Sequence, residues 1–346
     1  MLTSAERVRR LADRRGEVQN RDVVRALGVS PATAHRLLQA LVTGGILERR
    51  GKGRAARYHL RALRRRFRRA ALDEHRAWEE VAAEIVRIRP LEPDVARSLA
   101  YAATEILNNA VDHSGGRTVA VAVSFERGGA TVVTVQDDGV GVFRRVCEDF
   151  GYATPQDAIV QLEKGKLTSD PTRHSGEGLF FSSKAVTRFR LESQGTAWLV
   201  DNQVHDSGIG PSEVQRGTRV RLEVVPGHVP RLEEVFASYT DPESLRFTRT
   251  RTTIKLAGLG KTLVSRSEAK RLVARLPEFQ HVTLDFSGVE VVGQGFCDEV
   301  FRIFARAHPE VTLEPVGMND TVAFMVARAR AASGQDRNII SAKLAE

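Results

Sequence analysis

Hydrophobic positions in the first sixty residues recur at helical spacing in short runs separated by helix stops. Leu2, Val8 and Leu11 mark an opening amphipathic helix; Asn20 stands as an N-cap before residues 22–27, and Gly28 ends that run. Ser30 and Pro31 open a further helix with proline at its first position. Ala34, Leu37, Leu38 and Leu41 form its apolar face, which leaves Thr33, Arg36 and Gln39 pointing outward. Past Gly44 and Gly45, residues 46–50 read as a strand, Gly51–Gly53 as a turn, and Arg57, Tyr58, His59 and Leu60 as the return. From Arg61 to Arg89 the apolar positions Leu63, Phe67, Ala71, Trp78, Val81, Ile85 and Ile88 predict one long helix with near-heptad spacing, either a dimerising linker or a helix packed along its own domain.

Beyond residue 93 the period changes repeatedly. Leu99, Ala103, Ile106 and Ala110 make an apolar helical stripe, and beside it Glu105 and Asn109 stand four apart on a polar one, followed by Asp112 and His113. A strand-like run at 131–136 ends in Asp137-Asp138-Gly139-Val140-Gly141. Later, Gly176-Glu177-Gly178-Leu179 opens a helical pattern, and Gly217-Thr218 opens another strand. From about residue 250 strands and helices alternate, at 252–256, 266–276, 281–286, 295–307, 311–316 and 320–330, which predicts a small α/β layer domain.

The ordered set ExxxNA at 105–110, DDGVG at 137–141, GEGL at 176–179 and the terminal Gly-Thr resembles the GHKL ATPase superfamily of DNA gyrase B, MutL, sensor histidine kinases and anti-sigma-factor kinases, over residues 93–227. The resemblance implies a two-layer α/β sandwich of the Bergerat type that binds ATP and Mg²⁺. Asn109 is then the Mg²⁺ ligand, an oxygen donor suited to a hard cation that keeps phosphate and water in its shell. Glu105, one turn earlier, is the general base for the attacking water. Asp137 accepts the adenine amino group; Gly139 and Gly141 let the backbone pass close to the base. Gly176, Gly178 and Leu179 bring a helix N-terminus to the phosphates, and Thr218 supports the adenine-side carboxylate. Residues 142–175 match the ATP lid of that family, with Lys164, Lys166, Arg173 and His174 as cations of which one reaches the γ-phosphate and most remain solvated.

Charge sharpens the reading of the N-terminus. Residues 1–70 hold 19 Lys or Arg against 5 Asp or Glu, so a chain of net charge +9 is acidic in its remainder. The stretch from Asn20 to Arg50 resembles a winged helix-turn-helix, which implies double-stranded DNA as partner: Thr33, Arg36 and Gln39 on the recognition helix, Arg49, Arg50, Lys52, Arg54 and Arg57 on the ribbon. The alternative is a winged helix used for protein contact or dimerisation. Residues 284–304 resemble the STAS-like fold of anti-sigma-factor antagonists, implying a protein partner; at the turn where phosphorylated members carry Asp-Ser this chain has Gly293-Gln294, and Gln294 cannot accept a phosphoryl group. Nearby Ser287 reads as a turn residue. His75, tested as a phosphoacceptor, has Arg76 after it where an acidic residue is expected, and reads as a surface histidine. Cys147 and Cys297 are too few for a disulfide framework, and no apolar run matches a membrane span, so the expected setting is a reducing cytoplasm.

The expected architecture is thus α/β (α+β): a winged helix-turn-helix at 1–61, a linker helix at 62–92, a GHKL domain at 93–227 and a STAS-like domain at 245–334. The expected function is an ATP- and DNA-binding regulator, a homodimer and slow ATPase, in which nucleotide controls assembly or DNA binding. A protein Ser or His kinase acting on another chain, or an ATPase switch of a stress or defence system, are the alternatives.

Overall fold

The computed structural model describes residues 2–165, 176–239, 251–274 and 276–333. In chain order the elements are α1 (Ser4–Arg15), α2 (Asn20–Leu27), α3 (Pro31–Thr43), β1 (Leu47–Arg50), β2 (Arg57–Leu60), β3 (Leu63–Arg68), α4 (Glu74–Ile88), α5 (Pro93–His113), β4 (Thr118–Phe125), β5 (Thr131–Asp137), α6 (Val142–Phe150), α7 (Pro155–Lys164), α8 (Gly178–Ala185), β6 (Arg188–Ser193), β7 (Thr196–Asp201), β8 (Asp206–Pro211) and β9 (Arg219–Val224). There follow α9 (Leu232–Ala237), β10 (Arg251–Lys255), β11 (Thr262–Leu263), α10 (Arg266–Val273), β12 (His281–Asp285), β13 (Val291–Val292), α11 (Gln294–Cys297), α12 (Ala305–Ala307), β14 (Thr312–Val316) and α13 (Asp320–Ser333), with a π-helical stretch, Asp298–Phe304, joining α11 to α12. The chain divides into two compact units.

The first unit takes in Met1–Arg145, Glu177–Asp206 and Gly210–Leu232. Its N-terminal part is a three-helix bundle with a wing. A capping box starts α1, where Thr3 and Glu6 satisfy each other's backbone N–H. Gly28 stops α2 in the left-handed region, and Ser30 Oγ accepts from Thr33 N at 3.2 Å to start α3. Ala34, Leu38 and Leu41 are buried, whereas Leu37 is half-buried. Strands β1 and β2 pair antiparallel, Leu47 opposite Leu60, and Val18 bridges Tyr58.

The single helix expected over 61–89 does not form. Leu63–Arg68 is instead an edge strand of a seven-stranded sheet, pairing antiparallel with β4 from Leu63 opposite Val123 to Arg68 opposite Thr118. Apolar residues four apart, Leu63 and Phe67, share a face of a helix and of a strand alike, so spacing alone left the two open. Pairing with β4 decides it, and Arg64, Arg66 and Arg68 then alternate outward on the open edge, where charge blocks further strand addition. Helix begins at α4, whose Trp78, Val81, Ile85 and Ile88 are buried. It packs against α5 of the same chain.

The sheet order is β3-β4-β5-β9-β6-β7-β8. Val119, Val121 and Val123 of β4 are buried, as are Val133 and Val135 of β5 and Val220, Leu222 and Val224 of β9, while Ala120, Ala122 and Thr134 between them are half-buried. Period-two burial of this kind marks a sheet covered mainly on one face, the start of β5 excepted, where Thr131 and Val132 are buried as well as Val133. Helices α5 and α8 pack against each other and α5 against β5 and β9.

Arg89, at the end of α4, ties the winged helix to this sheet. Its Nη1 donates to the carbonyls of Gly129 (2.7 Å) and Ala130 (2.6 Å) and to Thr131 Oγ1 (3.1 Å), and its Nη2 pairs with Asp13 of α1 and reaches Glu126 O at 3.2 Å. Burial lowers the guanidinium's pKa and Asp13 opposes that shift. A buried charge is tolerated because so many acceptors surround it.

The second unit takes in Val146–Gly176, Ser207–Ile209 and Glu233–Glu346. A parallel sheet of order β10-β12-β14 carries Ile254, Val282 and Leu284 into a core with Leu272, Phe286, Phe296, Val300, Phe301, Val322 and Val326. Val160 of α7 belongs to that same core. Among the described residues no helix is long and apolar enough to cross a membrane.

Replacing Arg89 with Ala is expected to cost about 3–5 kcal/mol, the scale for breaking a buried ion pair. The readout is an earlier urea transition of tryptophan fluorescence, since Trp78 and Trp198 are both buried in the first unit. An unmoved transition would remove the clamp from the account of stability.

Candidate nucleotide and nucleic-acid sites

Helix α5 carries Glu105 and Asn109 on one half-buried face. Asn109 is half-buried on the turn after Glu105. Helix α8 lies so close that a Cβ at Gly178 would collide with Glu105 Oε2. Tyr101, one turn before Glu105, has its phenol pKa raised by burial first and then by the charges of Glu105 and Glu177. Gly176 precedes α8 at φ +71°, a left-handed conformation that favours glycine.

The second half of the site gathers around Asp137 at the end of β5. Its carboxylate is buried, and Oδ1 accepts from Gly139 N at 2.8 Å and Thr218 N at 3.3 Å. Thr218 Oγ1 meanwhile accepts from Val142 N at 3.0 Å. Burial raises the Asp137 pKa more than the hydrogen bonds from Gly139 and Thr218 lower it. Close approach leaves no room for side chains at three glycines: a Cβ at Gly139 would strike the backbone at Ser114 O, one at Gly217 the backbone at Asp137 O, and one at Gly141 the Ser193 hydroxyl. Ser114 also links the two halves, because its carbonyl accepts from Val140 N at 2.9 Å and its hydroxyl donates to Ala110 O at 2.5 Å. Asp138 is engaged elsewhere, accepting from Arg117 N (2.7 Å), Thr118 N (2.9 Å) and Thr118 Oγ1 (3.0 Å), and its pKa is lowered accordingly. A cleft of about 570 Å³ opens beside these two carboxylates, with Arg117 and Arg216 in its lining.

The structure therefore brings Glu105 to Gly178, and Asp137 to Gly139, Gly141, Gly217 and Thr218. Leu179 sits half-buried in the first turn of α8. Ser114, Tyr101 and Glu177 were not singled out from sequence; a serine after a helix, a helical tyrosine and a glycine-flanked glutamate carry no distinguishing pattern. Oxygen donors on α5, a buried carboxylate in a glycine cradle and a helix N-terminus suit a Mg-nucleotide. Among the described residues no cluster of three His, Cys, Asp or Glu is placed to hold a metal.

Of the lid cations, Lys166, Arg173 and His174 lie outside the described residues. Lys164 does not face solvent or a phosphate site as expected. It is fully buried, and its Nζ donates to Leu272 O at 2.6 Å, Ala274 O at 2.7 Å and Gln161 Oε1 at 3.2 Å. These carbonyls stand at the C-terminus of α10, where a helix leaves acceptors unsatisfied and favours a cation.

On α3, Arg36 is exposed, Gln39 half-buried, and the Thr33 hydroxyl is engaged by Ser30 Oγ (3.0 Å) and Arg36 Nη2 (3.3 Å). The wing separates into two classes. Arg50 pairs with Glu48 at 2.7 Å and Arg57 pairs with Glu17, whereas Arg49, Lys52 and Arg54 are exposed with no carboxylate partner among the described residues. Arg64, Arg66 and Arg68 on β3 are exposed and unpaired in the same way, and the expectation of a helix there had hidden them. His75 is exposed on α4, 3.3 Å from Glu79. Ser287 N donates to Asp285 Oδ1 at 2.8 Å in a turn, and Gln294 is exposed at the start of α11.

Three family models match the chain in order: an IclR helix-turn-helix domain over residues 8–51, a histidine kinase-, DNA gyrase B- and HSP90-like ATPase over 94–228, and a STAS-like domain of unknown function over 268–323. Among solved structures, an IclR transcriptional regulator from Alicyclobacillus acidocaldarius aligns at 16% identity over 67% of this chain and 92% of its own, with a TM-score of 0.20. A putative transcriptional regulator from Rhodococcus sp. RHA1 aligns at 16% identity over 68% of this chain and 91% of its own, with a TM-score of 0.15. Scores this low carry no argument about the whole chain. No curated protein matches it.

The Asp137 environment makes a pH prediction. A carboxyl whose folded pKa is raised contributes stability that is full below its unfolded pKa and lost as pH rises through the folded one. Asp137→Asn is therefore expected to make the ligand-free protein more stable than wild type at neutral pH, with the difference vanishing as pH falls toward about 3.8, the unfolded carboxyl's value. Urea titrations at a series of pH values check this. A difference that grows on acidification would contradict the burial argument.

Proposed function

We propose that the chain, which carries in order an IclR-type helix-turn-helix, a histidine kinase- and gyrase B-like ATPase domain and a STAS-like domain, is a DNA-binding regulator whose ATPase domain binds Mg-ATP and hydrolyses it slowly. The observation that carries the nucleotide half is the buried Asp137 carboxylate, fixed by Gly139 N–H and Thr218 N–H inside a cradle that admits no Cβ. Such a group has given up water and is held at a fixed angle, which suits it to accept the exocyclic amino group of adenine. Asn109 offers its amide oxygen to Mg²⁺, and Glu105 offers its carboxylate to a proton of the attacking water. When bound, Mg²⁺ supplies charge neutralisation on the phosphates. The N-terminus of α8, freed of side chains at Gly176 and Gly178, presents backbone N–H groups to the same anion.

The DNA half rests on the wing and α3. Exposed Arg36, Arg49, Lys52 and Arg54 have no carboxylate partner among the described residues, and each removes a counterion from the duplex on contact. Arg50 and Arg57 enter this reading with their charge already balanced.

Two measurements follow. Replacing Arg49, Lys52 and Arg54 with Ala is expected to lower the slope of log affinity against log salt by about 0.9 for each lost phosphate contact, whereas Arg57→Ala moves it less. A slope unchanged by the triple replacement would refute the wing as the DNA-facing element. For hydrolysis, Glu105→Gln should keep nucleotide binding and lose turnover by about 100-fold or more, the scale of a general base, whereas Asn109→Ala should lose the Mg²⁺ dependence of binding as well. Turnover of Glu105→Gln at the wild-type rate removes the base assignment. Stable transfer of label from γ-labelled ATP to another protein would favour a kinase instead.

A further inference from the structure

Helix α7 lies in the chain between the two glycine boxes, after Gly141 and before Gly176, yet its side chains belong to the C-terminal unit. Asp157, Ala158, Ile159, Val160, Gln161, Leu162 and Lys164 are all buried. Val160 is part of the STAS-like core. Each polar member of the set meets α10. Asp157 Oδ1 accepts from Arg271 Nε at 3.1 Å, Gln161 Nε2 donates to Arg271 O at 3.0 Å, and the Lys164 ammonium closes the end of the helix at Leu272 O and Ala274 O. The last carbonyls of α10 have no acceptor role left inside their own helix, so Gln161 and Lys164 act as its C-cap from a different part of the chain. This is a specific dock with a buried charge at its centre.

We propose that the STAS-like domain is the receptor for the lid helix, and that through this dock it sets the nucleotide affinity of the ATPase domain; the proposal rests on the ATP reading given above. The coupling has a definite sign. A nucleotide that orders both glycine boxes fixes the two ends of the segment carrying α7, which reduces the freedom of the undocked chain and strengthens the dock. Reciprocity then requires the docked helix to strengthen nucleotide binding by the same factor. A protein that seizes the C-terminal end of α10 would displace Lys164 and weaken nucleotide binding from a distance.

The test uses the full chain and the Mg²⁺ complex of a non-hydrolysable ATP analogue, with affinity read by calorimetry and the dock read by hydrogen exchange in α7 and α10. In the wild type the analogue should slow exchange in both helices. Lys164→Met keeps the aliphatic stem and removes the ammonium; it is expected to weaken analogue binding by about fivefold or more, the lower end of measured couplings, and to abolish the protection at α10. Should that variant fail to fold, Asp157→Asn, which touches the partly exposed pair with Arg271, is expected to shift both readouts in the same direction by about twofold. Weaker binding in Lys164→Met with wild-type affinity in Asp157→Asn and unchanged exchange at α10 would mean the lysine acts on phosphate, and would overturn the proposal. So would binding by the wild type with unaltered exchange in α7 and α10. A wild type that binds no analogue would overturn the ATP reading, and this proposal with it.

Discussion

The candidate nucleotide site depends on backbone passing backbone at distances where no Cβ fits. Gly139 against Ser114 and Gly217 against Asp137 are two such approaches, and Gly141 against the Ser193 hydroxyl and Gly178 against the Glu105 carboxylate add two in which the close neighbour is a side chain. They bring β5, β9, α8 and the end of α5 into one small volume, and they leave N–H groups free to fix the Asp137 carboxylate. A glycine here is a steric requirement, which explains why boxes far apart in the chain carry it together. Those hydrogen bonds offset part of the cost of burying the carboxylate, and the part left over shows as its raised pKa.

The same logic of a paired buried charge recurs at the joint with the winged helix. Arg89 spends its guanidinium on carbonyls of the turn between β4 and β5 and on Asp13 of α1. Strand β3 adds a covalent route, since it follows the wing after two residues and completes the edge of the ATPase sheet. Helix-turn-helix and ATPase sheet thereby share one compact unit. A flexible linker would have left them independent; an ordered strand and a buried arginine do not.

At the C-terminus the buried charge is Lys164, and what it satisfies is the end of a helix. The STAS-like domain thus owns part of a segment that the order of sequence boxes assigns to the ATPase. Its own turn at Gln294 has no hydroxyl to phosphorylate.

Sequence alone determined the domain order, the N-terminal basic bias and the identity of the glycine boxes, because each is written in local residue types at fixed spacing. The placement of Glu105 and Asn109 on one helical stripe was legible from period, and that of Asp137 from the strand before it and the glycines after it. Tertiary structure alone decided three things. Residues 63–68 became a strand because β4 was there to pair with, a choice that Leu63 and Phe67 leave open by themselves. Arg57 and Arg50 were neutralised because Glu17 and Glu48 fold beside them, and charge counting does not see partners. Lys164 left the phosphate-facing set because carbonyls of α10, about a hundred residues later, lay within reach of it; a lysine's destination is fixed by the acceptors that folding brings near, and local sequence holds no record of them.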